Sequence, residues 1–125
     1  MSHGPVGRRV VAPLAAVALV LALAACGASS GSPSALGTAL QQSCNAVSST
    51  LQNGPDPDAD PVGHAEAQPI PLRRLSISDA ALRSAVDKLA DAYESFANSS
   101  GSAAAKAKVT SASAMVNAIC PGAAS

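Results

Sequence analysis

The sequence predicts an all-α fold, a small three-helix bundle. Three segments repeat their apolar residues every three or four positions, which is the spacing that places side chains on one face of a helix. No segment alternates apolar and polar residues over any length, so no β-sheet is expected. The connection between the second and third segments spans only residues 98–102, which favours antiparallel packing of the last two helices.

The first helix is predicted over residues 33–53. Ser32 offers an N-cap, and Pro33 suits the first helical position because its missing N–H would be unpaired there in any case. Gly54 and Pro55 then end the helix. Its apolar face consists of Leu36, Leu40, Cys44, Val47 and Leu51.

The second helix is predicted over residues 77–98. Ser76 or Ser78 can cap its start, and Asp79 adds a negative charge near the positive end of the helix dipole. Its apolar face consists of Leu82, Val86, Leu89, Tyr93 and Phe96.

The third helix is predicted over residues 103–120. Gly101 interrupts the chain before it, Ser102 provides an N-cap, and Pro121 with Gly122 ends it. Its apolar face consists of Ala105, Val109, Ala112, Val116 and Ile119.

Residues 54–71, between the first two helices, are expected to form a Pro-rich acidic loop within a helical domain over residues 35–125. Five prolines in this segment argue against any regular element. A structureless segment of this length is uncommon inside a compact domain and is often functional or a linker. Val62, Ile70 and Leu72 are the apolar residues through which part of it could pack.

The N-terminal residues have the layout of a secretory signal peptide. Arg8 and Arg9 give the first nine residues a positive charge, and residues 10–25 follow without any charge. This apolar stretch contains Pro13 and is shorter than the roughly 18 residues typical of a membrane-spanning helix. We therefore assign residues 1–25 to a helical signal peptide, exported by general secretion because the surroundings of the arginine pair match the twin-arginine motif poorly.

The apolar stretch ends in Leu23-Ala24-Ala25-Cys26. This run resembles the lipobox of bacterial prolipoproteins, and the Ala-, Gly- and Pro-rich composition is similar to that of actinobacterial lipoproteins. The resemblance covers residues 1–26 and implies cleavage before Cys26 and attachment of a diacylglyceryl group to its thiol. Acyl chains would hold the mature protein on the extracytoplasmic face of the cell membrane, with residues 26–34 as a flexible Gly/Ser-rich tether. An ordinary signal peptide is the alternative.

Lipidation of Cys26 would leave Cys44 and Cys120 as the remaining cysteines. In an oxidising compartment they are expected to form a disulfide, which would tie the middle of the first helix to the end of the third. Two free thiols, or two metal ligands, are the alternatives, although neither cysteine has a further Cys or His at ligand spacing. Closing a loop of about 75 residues contributes about 4 kcal/mol to the free energy of unfolding. An Ala-rich core with one Tyr and one Phe buries less apolar surface per residue and needs such a contribution.

Three aspartates at alternate positions suggest a calcium loop, but the pattern fits poorly. Asp56, Asp58 and Asp60 could supply carboxylate ligands together with Glu66. Pro61, however, stands where a calcium loop requires glycine, and Ala67 stands where it requires glutamate. We expect a solvated acidic loop and no metal site.

His64 is the one histidine of the mature chain, and we expect a loop residue without a catalytic role. Neither a serine nor a cysteine nucleophile with a known signature accompanies it. The sequence therefore predicts no catalytic residue and a protein that is not an enzyme. The layout is broadly similar to that of small secreted haem-binding proteins, and this alternative would make His64, Tyr93 or Met115 an axial ligand.

Charge argues against nucleic acid as a partner. The precursor has eight basic and eight acidic residues, and loss of Arg8 and Arg9 leaves six against eight, a net charge of −2 without a basic patch. We expect a non-catalytic cell-envelope interaction or binding module without a cofactor, whose partner is the membrane and either an envelope protein or a small apolar ligand. The alternative is a carrier of a small apolar ligand or haem.

Overall fold

The computed structural model describes residues 33–125, with side chains from Gly37 onward. This part of the chain is all-α, and no strand occurs in it. The predicted signal peptide, Cys26, the tether up to residue 32 and the Leu36 side chain lie outside the described residues. The helices are α1 (Pro33–Leu51), α2 (Pro61–Ala67), α3 (Pro69–Arg74), α4 (Ala80–Asn98) and α5 (Ala103–Ile119).

The three predicted long helices are α1, α4 and α5, and each contributes buried residues of its predicted apolar face to the core. Phe96 near the end of α4 packs with Ala105 at the start of α5. Leu82 and Val86 near the start of α4 pack in one cluster with Val116 near the end of α5. The last two helices are therefore antiparallel neighbours, as the short connection between them predicts.

A tight turn at the end of α4 sets this antiparallel geometry. The Gly101 amide donates to the Phe96 carbonyl at 2.9 Å, and the Ser100 amide donates to the Ala97 carbonyl at 3.0 Å. This pair of bonds is the Schellman arrangement, in which the residue after the C-cap takes a left-handed conformation. That residue is Ser100, with φ of 51°. Ser102 then caps α5, as predicted, by accepting from the Ala105 amide.

The start of α4 differs from the prediction by three residues. The N-cap is Asp79, whose carboxylate accepts from the Leu82 amide at 2.7 Å, and neither Ser76 nor Ser78 caps the helix. The Asp79 carboxylate satisfies a free amide at the start of the helix and also interacts favourably with the helix dipole. Residues 75–79 form no regular element.

The prediction of a loop over residues 54–71 is wrong, because α2 and α3 occupy most of this segment. Pro61 and Pro69 are the first residues of these helices, where proline is tolerated since its nitrogen needs no hydrogen-bond partner. Within this segment only residues 54–60 and Gln68 remain outside a helix. Leu72 is fully buried and anchors α3 in the core, while Ile70 stays 60% exposed.

The predicted disulfide is present between Cys44 in the middle of α1 and Cys120, the C-cap of α5. The two Cα atoms lie 5.4 Å apart. Among the described side chains of α1, only Ser43 and Val47 are buried. The disulfide therefore ties α1 covalently to the end of α5, in addition to the packing of Val47 and of half-buried Leu40 and Leu51 on the core.

Candidate functional site

His64 lies on α2 with only 7% of its surface exposed, so the prediction of a loop histidine is wrong. Its Nδ1 atom lies 2.9 Å from the carbonyl oxygen of Pro55. A carbonyl oxygen only accepts hydrogen bonds, so Nδ1 carries the proton and donates it. In the neutral ring Nε2 therefore keeps a free lone pair and acts as an acceptor.

The imidazole of His64 contacts the phenol ring of Tyr93 on α4. The ring centroids are 5.8 Å apart and the planes meet at 71°, an edge-to-face arrangement. Tyr93 is half-buried, and this burial raises the pKa of its phenol above the ordinary value of 10.0. The hydroxyl thus stays protonated at neutral pH and can donate a hydrogen bond.

A cleft of about 280 Å³ opens beside these two rings, between the end of α1, α2, α4 and α5. Its volume lies at the lower end of the range for small-molecule sites, about 300 Å³. Most of the lining surface is apolar. The lining residues are Leu51, Pro57, Pro61, His64, Tyr93, Phe96, Lys106, Val109, Thr110, Ala124 and Ser125.

The cleft contains polar groups that no residue of the described chain satisfies. Neither His64 Nε2 nor the Tyr93 hydroxyl forms a hydrogen bond within residues 33–125. Lys106 forms no ion pair there either. The Thr110 hydroxyl donates to the Lys106 carbonyl at 3.1 Å, and no Asp or Glu lines the cleft. The cleft therefore offers a ligand an acceptor, a neutral donor and the Lys106 cation, and Ser125, the last residue of the sequence, lines it as well.

The predicted acidic residues do not converge on a site. Asp56 Oδ1 accepts from the Asp58 amide at 2.8 Å, and Asp60 Oδ1 caps α2 by accepting from the Gly63 amide at 2.9 Å. Glu66 is exposed. Within the described part of the chain, no group of three or more His, Cys, Asp or Glu residues could hold a metal ion.

The three residues weighed as haem ligands do not come together. His64 and Tyr93 are in contact, whereas Met115 is 46% exposed in a separate groove between α4 and α5. Edge contact between the His64 and Tyr93 rings also leaves no room for a porphyrin between them.

Two features of this region were missed by the sequence analysis. Gln68 is 1% exposed, its amide nitrogen donates to the Asn53 carbonyl at 2.7 Å, and its Oε1 atom is buried without a partner among the described residues. Gln68, which lies between α2 and α3, is therefore hydrogen-bonded to the segment that follows α1. The second missed feature is Lys106, whose position on the cleft follows from its spacing with Val109 and Thr110 on α5.

Comparison with known proteins identifies no relative, so the functional argument depends on the geometry of the cleft. No family model, curated protein or solved structure matches the chain significantly. Among residues 33–125, no helix combines the length and the apolar character needed to cross a bilayer.

Proposed function

We propose that the chain is a bacterial lipoprotein precursor whose mature part is a non-catalytic binding module on the extracytoplasmic face of the cell membrane. The Leu23-Ala24-Ala25-Cys26 run supports this location, as does the N-terminal segment before it, in which a positively charged start is followed by an apolar stretch. The disulfide between Cys44 and Cys120 supports it independently, because disulfides persist mainly in oxidising compartments outside the cytoplasm.

Intact mass spectrometry of the membrane fraction tests the cleavage before Cys26 and its lipidation. We expect a chain that begins at Cys26 and carries a diacylglyceryl group, and a Cys26→Ala variant that lacks the added mass and is released from the membrane. Cys44→Ala serves as the matched control, since it removes a thiol and leaves lipidation intact. An unacylated N-terminus in the wild-type chain would contradict the proposal.

We further propose that the binding module takes a small, mainly apolar molecule in the cleft beside His64 and Tyr93. The observation that carries this proposal is a mainly apolar cleft lined by His64 and Tyr93, whose Nε2 atom and hydroxyl have no hydrogen-bond partner within the described residues. Binding sites for small molecules combine such an apolar lining with a few polar groups that orient the ligand.

A thermal-shift screen of envelope extracts tests this cleft. A ligand that binds only the folded state raises the melting temperature in a concentration-dependent way. Thr110→Trp should abolish the shift, because an exposed residue on the cleft then becomes a bulky one that fills it. Ala107→Trp adds the same side chain to α5 outside the cleft and should keep the shift. Equal shifts in both variants would count against the cleft.

Two other functions would give different results with the same protein and its two tryptophan variants. A haem carrier would show a new absorption band after haem addition, and the separation of Met115 from His64 and Tyr93 gives that function less support. A module for an envelope protein would retain a specific partner in pull-downs of both tryptophan variants, because its surface would lie outside the cleft. A reaction is not proposed, since no nucleophile and general base converge in the described part of the chain.

A further inference from the structure

The ring of His64 is held in one hydrogen-bonding state by the chain itself. Its Nδ1 atom donates to the Pro55 carbonyl at 2.9 Å, so in the neutral ring the free lone pair is at Nε2. The protonated nitrogen of a histidine is set by the hydrogen bond that the other nitrogen makes. Neutral His64 therefore presents an acceptor, and no donor, at Nε2.

This Nε2 atom is without a partner but is not enclosed. Within the described residues, Gln68 Oε1 is the one side-chain polar atom that is both fully buried and without a hydrogen bond. Nε2 of His64 has no bond there either, yet it is not fully buried, although only 7% of the residue is exposed. Because His64 lines the cleft, a molecule in the cleft can reach this lone pair.

Filling the cleft has a consequence for this lone pair. A ligand that enters displaces the water around Nε2, and most of the surface that lines the cleft, including Leu51, Phe96 and Val109, offers no replacement donor. An acceptor that is left unsatisfied lowers the affinity about ten-fold. Sites that hydrogen-bond an O–H or N–H group of a ligand reject analogues that lack this group.

The other polar side chains of the cleft do not impose this requirement. The hydroxyls of Tyr93, Thr110 and Ser125 can each donate or accept, and Lys106 only donates. They accommodate a ligand that carries an acceptor as well as one that carries a donor. His64 is therefore the residue that distinguishes the two.

We propose that the ligand of this cleft is a small apolar molecule that donates an O–H or N–H group to Nε2 of His64. This inference rests on the proposed function of the cleft as a binding site and gives its ligand a chemical class. Apolar alcohols, phenols and N–H heterocycles belong to this class, whereas hydrocarbons, ethers and esters do not.

Indole and indene test the requirement for a donor, because they share one shape and only indole has an N–H group. Both are small enough for a cleft of about 280 Å³. The purified full chain, in detergent, carries ¹⁵N-labelled histidine and a His3→Ala substitution, which leaves His64 as its only histidine. At mildly alkaline pH we expect indene to move the Nε2 resonance downfield, because water leaves and no donor replaces it. Indole should not move it downfield, since its N–H takes the place of the water.

The ratio of the two affinities provides a second measurement. Comparing this ratio between variants cancels the greater hydrophobicity of indene. His64→Phe keeps a ring and removes the lone pair, so the preference for indole over indene should fall about ten-fold from its wild-type value. Glu66→Phe adds the same side chain at an exposed position of α2 outside the cleft and should keep the wild-type ratio. If His64→Phe does not fold, the comparison of resonances decides.

An Nε2 resonance that moves alike with both probes, or a folded His64→Phe chain that keeps the wild-type ratio, would overturn the requirement for a donor. Saturable binding of both probes in that case would leave the cleft as a site for apolar molecules in general. Absence of saturable binding of either probe would overturn the inference and would also contradict the binding of a small apolar ligand here.

Discussion

The Nδ1 atom of His64 donates to the carbonyl oxygen of Pro55, nine residues earlier in the chain, at 2.9 Å. This bond closes the irregular segment 52–60 over α2 and brings Pro57 to the cleft that His64 and Tyr93 also line. One partly buried hydrogen bond therefore connects an exposed segment of the chain to a residue that lines the candidate site.

His64→Ala should lower the free energy of unfolding by about 2 kcal/mol, because it leaves the Pro55 carbonyl without its donor and removes a buried ring. Glu66→Ala on the same short helix changes an exposed residue and should stay within about 0.5 kcal/mol of wild type. Denaturant unfolding followed by circular dichroism measures both. Equal stabilities of the two variants would show that the bond does not hold this segment.

Removal of the disulfide should release α1 before the rest of the bundle. The Cys44→Ala, Cys120→Ala double variant should lose about 4 kcal/mol of stability, because the unfolded chain has more conformational entropy without the cross-link. Hydrogen exchange should then accelerate more in α1 than in α4, because α1 buries few side chains and α4 buries seven residues. Unchanged exchange in α1 would mean that packing alone holds this helix.

The turn after α4 offers a substitution that should stabilise the protein. Ser100 has φ of 51°, a left-handed conformation that disfavours any residue with a Cβ atom. Ser100→Gly should therefore raise the free energy of unfolding by about 1 kcal/mol. Gly101→Ala should lower it, since φ is 82° here and the new Cβ would lie 3.3 Å from Phe96 Cζ. A loss of stability in Ser100→Gly would contradict this description of the turn.

Gly63 is required by the cap of α2. A Cβ atom at this position would clash with the Asp60 carboxylate, which folds over the glycine to accept from its amide. Gly63→Ala should displace this cap and cost about 1 kcal/mol. Gly37→Ala on α1 is the matched control, because a Cβ atom there would have no neighbour within 4 Å; it should stabilise the protein by up to about 1 kcal/mol through helix propensity. Thermal unfolding of the pair should move in opposite directions.

The phenol of Tyr93 should titrate above 10.0, because burial disfavours its charged form and so raises its pKa. Since the pKa is higher in the folded than in the unfolded state, the folded state holds this proton more tightly. The stabilisation that arises from this tighter proton binding is fully present below pH 10.0 and is lost as the pH rises through the pKa of the folded state. Phenolate absorbance reports this one tyrosine directly. A midpoint at or below that of free tyrosine would contradict the half-buried position.

The long helices could be predicted from the sequence because their apolar spacing is local information. The α4 face from Leu82 to Phe96 is buried or half-buried as the three-to-four spacing requires. The pairing of Cys44 with Cys120 depended on assigning Cys26 to a lipid, which left no other partner. That assignment lies outside the described residues, while the disulfide itself is confirmed.

The error over residues 54–71 came from treating the five prolines of this segment as helix breakers, although Pro33 was accepted as the first residue of a helix. Asp60-Pro61 is an N-cap followed by a proline at the first helical position, so the sequence contained the start of α2. The candidate site was missed for a different reason. His64, Tyr93 and Lys106 come from three separate helices, and their convergence depends on how α2 packs on α4, which no local pattern contains.

The most direct test of the central claim is native mass spectrometry of the lipoprotein extracted gently from its own membranes. The wild-type chain and Ala107→Trp should each carry one additional small molecule, released on denaturation, and Thr110→Trp should carry none. Absence of a bound molecule from all three, or its retention by Thr110→Trp, would show that the cleft beside His64 and Tyr93 does not hold a ligand.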